Sequence, residues 1–255
     1  MHQLMRSASA DTQGTRTSLA LGAVVLGVWL TIHIGGIFFW DFARDPLWLV
    51  PILVLIQAEA STGLFIVAHD AMHGSFAPGR PALNHWAGRA ALALYACMNF
   101  DQLRDAHFRH HKHAGLEGDP DFHPHRPRHV LPWLGRFFGG YYNHTQLAWI
   151  TLVAIIYQLN GAWLGNIVVF WAIPAITALI QLFYFGTYLP HRHRDEPFPD
   201  RHRARSNSMG RAAAVATCYN FGAYHHEHHL FPDTPWWALP RRRSEVRSNA
   251  TAQHA

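Results

Sequence analysis

The sequence predicts an all-α integral membrane protein, a helical bundle of about four transmembrane helices carrying a histidine-rich cap. Long apolar runs fill much of the chain, and dense histidine clusters stand where those runs end. Charge is scarce: 49% of the 255 residues are hydrophobic and 15% charged, against about a quarter charged in an ordinary soluble domain.

Residues 1–17 are polar and are expected to be poorly ordered. Residues 18–40 hold no acidic or strongly basic group and suffice for a crossing, which takes roughly 20 apolar residues. A cleavable signal peptide fits them less well, because the run is long and no clear small-residue cleavage site follows. Residues 47–69 form the second span, interrupted only by Gln57 and Glu59. Residues 84–99 are short and carry Arg89, which at mid-bilayer would cost about 2.5–3.5 kcal/mol. They are expected to lie at the interface or re-enter. The apolar stretch 146–189 has a natural break at 159–163 and holds two more spans. Counted this way, all histidine clusters fall on one face, with residues 18–240 forming the main domain and 241–255 a basic tail.

Ten of the twenty arginines follow residue 189, and Lys112 is the single lysine. Beside membrane spans, this bias marks the cytoplasmic side of an inner membrane and not a nucleic-acid partner. Cys97 and Cys218 stand alone, with no metal-type spacing and no disulfide framework.

The chemistry lies in the histidines. His69 and His73 are four apart; His107, His110 and His111 occupy i, i+3 and i+4; His225, His228 and His229 repeat that spacing. Each set shares one helix face. His191, directly after the last span, is a ninth candidate. A single histidine on a helix is usually a hydrogen-bonded surface or core residue, but the repeated pattern points to metal. Eight or nine imidazoles exceed one zinc centre and fit two metals. Soluble di-iron bundles rely on Glu-x-x-His, which is missing from this chain. An almost all-histidine pair of irons remains. Asp70 stands where a zinc protease has its glutamate, yet the further histidines do not suit a protease. Candidates to orient the ligating rings are Asp70, Asp119, Asp121 and Glu227, with Asp101 and Asp105 nearby. Asp119 and Asp121 have an alternative role as shapers of a turn. A metal transporter would place its ligands along a path at membrane depth, where only His33 and Glu59 lie.

These boxes resemble those of the membrane fatty-acid desaturase and hydroxylase superfamily. Within it, the segments "FIVAHDAMHGS", "HFRHHKHAGLEGDPDF", "FGTYLPHR", "FPDRHRARS" and "GAYHHEHHLFPDTPWWALP" closely resemble bacterial beta-carotene ketolases over residues 18–240. The resemblance implies two Fe2+ ions held by His69, His73, His107, His110, His111, His225, His228 and His229, together with His191. It implies dioxygen as co-substrate, a ferredoxin-like electron donor, and a carotenoid substrate taken from membrane lipid. The implied reaction oxidises the C4 methylene of a beta-ionone ring to a ketone through two hydroxylations and loss of water. Beta-carotene would give echinenone and canthaxanthin, and zeaxanthin would lead towards astaxanthin. A carotenoid ring hydroxylase, a fatty-acyl desaturase or an alkane hydroxylase would use similar boxes; only the segments between the boxes separate them.

Overall fold

The computed structural model describes residues 2–141 and 143–253, and every regular element among them is helical. Helices α1 (His2–Ile34), α2 (Leu49–Met72), α3 (Pro81–Ala96), α4 (Phe100–His113) and α5 (Val130–Tyr141) come first. Then follow α6 (His144–Leu159), α7 (Leu164–His191), α8 (Arg211–Ala216), α9 (Phe221–Leu230) and α10 (Leu239–Gln253). The chain divides into two compact units, Met1–Phe100 with Asn143–Ile180, and Asp101–Tyr142 with Gln181–Ala255.

In the first unit α1 and α2 pack antiparallel. Trp29 Nε1 donates to Ser61 Oγ at 3.1 Å, while Gly22 lies against Val67 and Phe76. The polar residues from His2 up to position 17 are part of α1. Nothing there interrupts the i→i−4 ladder: residues 2–17 contain no proline and only one glycine. The second half of α2 is buried, including Ser61, Thr62, His69 and Asp70. Helix α3 starts on Pro81, whose missing N–H costs nothing at a first turn, and stops at Cys97 in a left-handed conformation (φ 52°). Arg89 lies on its exposed face, beside Trp86, which is itself 67% exposed.

The break in the long apolar stretch falls where the sequence placed it. Asn143 caps α6 by accepting from Thr145 N at 2.8 Å, a contact worth about 1 kcal/mol. Gly161, at φ +92°, turns the chain into α7. Gly36 admits the ring of Phe170, since a Cβ there would lie 2.3 Å from it. Among the described residues, three helices are long and apolar enough to cross a membrane: Thr12–Phe39, Leu49–Met72 and Leu164–His191. Helix α6 has 16 residues, none of them buried, and exposes Leu147, Trp149, Leu152, Ile155, Ile156 and Leu159. It is shorter than the usual spanning length of about 20 residues.

The second unit is built around Trp133, which is completely buried. Its Nε1 donates to the Asp121 carbonyl at 2.5 Å, and its ring meets Tyr188 edge-on at 5.4 Å. Tyr188 in turn donates to the Arg128 carbonyl at 2.8 Å, tying α7 to the loop before α5. Helix α9 carries a kink at Tyr224 (φ −120°, ψ 33°) just before its histidines, and α10 packs against it.

Candidate metal centre

In the first unit, His69 and His73 sit on the last turn and cap of α2, with ring centroids 5.0 Å apart. Burial, followed by the neighbouring His69, holds the His73 pKa well below its ordinary value, so that ring is neutral. Asp70 is 2% exposed and follows the chain into a tight turn, its carbonyl accepting from Ser75 N at 2.9 Å. Its carboxylate lies 3.6 Å from His69 Nδ1, beyond hydrogen-bond range.

In the second unit, α4, α9 and the end of α7 present the predicted histidines as two groups. Nε2 of His111 lies 3.1 Å from Nε2 of His107 and 3.0 Å from Nε2 of His228. The other group is formed by His110, His191, His225 and His229, all buried, with one ring nitrogen from each lying within 4.8 Å of all the others. His225 Nε2 is 2.8 Å from His191 Nε2 and 3.0 Å from His229 Nε2.

Hydrogen bonds decide which nitrogens are left to converge. His191 Nδ1 lies 2.7 Å from the Arg203 carbonyl, which can only accept, so the proton is on Nδ1 and Nε2 carries a bare lone pair. His110 Nδ1 lies 2.9 and 3.0 Å from the two Asp119 oxygens and is likewise a donor. Burial alone would depress the His110 pKa; Asp119, with Asp121 farther off, outweighs it and raises the basicity of the ring. Asp119 is kept ionised by His110 and by the Gly115 N–H, against the effect of burial, and also accepts from Asp121 N. Burial, and then the surrounding imidazoles of His111, His225, His191 and His110, keeps His229 well below its usual pKa. The group is therefore a buried cluster of imidazoles whose Nε2 atoms converge at His225, with burial disfavouring a charge on His229. That arrangement is unfavourable by itself and suits a transition-metal ion. The residues present fit such an ion.

The carboxylates predicted to orient the rings divide. Asp119 contacts a ring nitrogen directly. Asp121 stands 3.8 Å from His110 Nδ1 and accepts a short hydrogen bond from the Tyr141 hydroxyl. Glu227 faces Arg243 and Ser206. Asp101 and Asp105 pair with Arg104. His193, in the loop after α7, stacks on Phe122 at 5.2 Å, and His226 pairs with Asp200 at 2.8 Å. Sequence reasoning missed the Arg203 carbonyl, Tyr141 and Arg243. Only Arg243 left a signal, as part of the basic run at 241–243.

A protein-family model described as fatty acid desaturase matches residues 46–157 and 142–255. A beta-carotene ketolase from Paracoccus sp. (strain PC1) is 44% identical over 234 residues, covering 91% of this chain and 94% of that protein. A beta-carotene ketolase from Paracoccus sp. (strain N81106 / MBIC 01143) is 42% identical over 233 residues, with the same shares covered. A zeaxanthin 4-ketolase from Chlamydomonas reinhardtii is 34% identical over 246 residues, 92% of this chain and 55% of that protein.

Proposed function

The chain belongs to the fatty acid desaturase family, and we propose that it is a carotenoid ketolase acting on the C4 methylene of beta-ionone rings. Similarity to two beta-carotene ketolases along nearly their whole length carries the reading. The zeaxanthin 4-ketolase among its relatives supports an ability to take 3-hydroxylated rings as well.

The two histidine groups of the second unit support two iron ions. We assign one to His107, His111 and His228, the other to His110, His191, His225 and His229. His69 and His73 are added to the ligands by the box pattern alone. When bound, the irons supply the activation of dioxygen. The chain's own residues orient two of the ligand rings and bury the second group. Asp119 holds the proton of His110 on Nδ1, and the Arg203 carbonyl does the same for His191. Burial of the second group keeps bulk water from its ring nitrogens.

Each hydroxylation converts a ring C–H to C–OH, consumes one dioxygen with two electrons and two protons, and releases one water. Two such steps at one carbon give a geminal diol, which loses water to become the ketone. The electrons come from a soluble ferredoxin-type donor, and the apolar substrate arrives from membrane lipid. A fourth crossing supplied by α6 would bring all three boxes to the cytoplasmic face of a bacterial inner membrane.

The test is the mass and absorption of pigments from aerobic cells that make beta-carotene and express this chain. Pigments in which each oxidised ring has exchanged two hydrogens for one oxygen, with a red-shifted spectrum, are expected. Pigments that only gain oxygen would make the chain a ring hydroxylase. Unchanged beta-carotene beside iron-loaded protein would remove carotenoids as the substrate.

A further inference from the structure

The basic C-terminal helix does more than the topological role its arginines suggest. Helix α9 is interrupted at Tyr224, one residue before His225, and such a break orphans backbone groups on both sides. Those groups are recovered from outside the helix. The Ala223 carbonyl accepts from Asn207 N at 3.0 Å and from Arg243 Nη2 at 2.5 Å. The Gly222 carbonyl accepts from Asn207 Nδ2 at 2.8 Å. On the far side of the break, His226 N donates to Ser206 Oγ at 3.0 Å, as it would to an N-cap, and Ser206 in turn donates to Glu227.

Arg243 joins both halves. Its Nε lies 2.7 Å from Glu227 Oε1, its Nη2 3.3 Å from Glu227 Oε2, and its guanidinium stands 4.2 Å above the Tyr224 ring centroid. The pair is largely buried, with side-chain exposures of 16% for Arg243 and 8% for Glu227. One planar fork thus spans the kink, bonding a carbonyl before it and a carboxylate after it. A lysine, with a single nitrogen, cannot reproduce that span. Glu227 sits between His225 and His228, so the angle at which the third box leaves the kink is set through this contact.

We propose that Arg243 is a positioning residue of the metal centre, locking the kink at Tyr224 so that His225, His228 and His229 are held in ligating register. The proposal rests on the reading of the third box as an iron site.

The test compares full-length wild type, Arg243→Ala, Arg243→Lys and Arg241→Ala, purified in detergent. Arg241 is exposed and among the described residues pairs with Glu245 alone, so its loss removes the same charge without touching the kink. Iron per chain, iron release to a chelator, the Mössbauer spectrum of the loaded protein and the melting temperature of the iron-free protein are measured. Iron release about 10-fold faster or more is expected for Arg243→Ala, in the range typical for loss of a group supporting a metal ligand. Arg243→Lys, which keeps the charge, should fold like wild type and still release iron faster, with a broadened spectrum. Arg241→Ala should match wild type. Iron release and spectra unchanged in Arg243→Lys and in any folded Arg243→Ala would overturn the positioning role while leaving the iron reading intact. Equal losses in Arg241→Ala would overturn it too, by reducing the effect to charge. A wild type that binds no iron would refute the iron reading itself, and the proposal with it.

Discussion

His110 Nδ1 lies 2.9 Å from Asp119 Oδ1, and this contact settles which nitrogen of the ring is left for a metal. A carboxylate only accepts, so the ring donates from Nδ1 and offers Nε2. Asp119 is itself held by the N–H groups of Gly115 and Asp121, both at 2.9 Å, so the orientation is set by backbone.

Asp119→Asn keeps the size of the side chain but can turn an NH2 towards His110, which then has to accept at Nδ1. Iron affinity and turnover are expected to fall about 10- to 100-fold, the usual cost of losing such a partner. Iron per chain and pigment yield, normalised to protein, check this. Wild-type values in both would remove Asp119 from the site.

His225 is the meeting point of its group, within 3.0 Å of both His191 and His229. His228 reaches the other group through His111. His225→Ala and His228→Ala are each expected to abolish ketone formation and leave helix content and membrane insertion unchanged, since neither residue lies in a spanning helix. Circular dichroism and fractionation separate that outcome from misfolding. Substantial ketone formation by either variant would strike that residue from the ligand set.

The grouping of the histidines was legible because helical spacing is a short-range property. His107, His110 and His111 had to share a face of any helix that contained them, and so had His225, His228 and His229. The break at Asn160 and Gly161 was legible for the same local reason. What orients the rings was only partly so. The Asp119 contact with His110 spans nine residues and involves a carboxylate, which leaves a trace. The contact of His191 with the Arg203 carbonyl leaves none, because every residue has a carbonyl. Glu227 was expected to serve a histidine, yet Arg243, sixteen residues on, takes it. A carboxylate surrounded by imidazoles in sequence still pairs with the stronger cation when the fold brings one near.

Gly36 has no room for a side chain, because an added Cβ would lie 2.3 Å from the Phe170 ring. Phe170 is completely buried and also touches Trp40 at 5.6 Å between centroids, so it has little freedom to retreat. Gly36→Ala is expected to destabilise the protein by about 1–3 kcal/mol, the common cost of overpacking. Thermal unfolding in detergent checks this. Gly35→Ala, where nothing lies within 4 Å of the added carbon, is the control and is expected to melt like wild type.

Asp121 gives the protein a pH dependence of determinate sign. Burial raises its carboxyl from 3.8 to about 6, with the Asp119 charge adding and His110 and Tyr141 opposing. Between those two values the folded chain binds more protons at this position than the unfolded chain does. The stability contributed by protonation is therefore fully present below pH 3.8 and is lost as pH rises through about 6. Asp121→Asn abolishes the titration while keeping the shape. In metal-free protein, the stability of wild type relative to this variant is expected to decline from pH 4 to pH 7, by on the order of 2–3 kcal/mol. Asp119 titrates in both proteins, so taking the difference largely cancels its opposite trend. Denaturant unfolding at several pH values measures that difference; a flat profile, or one that rises with pH, would mean that Asp121 is ionised throughout.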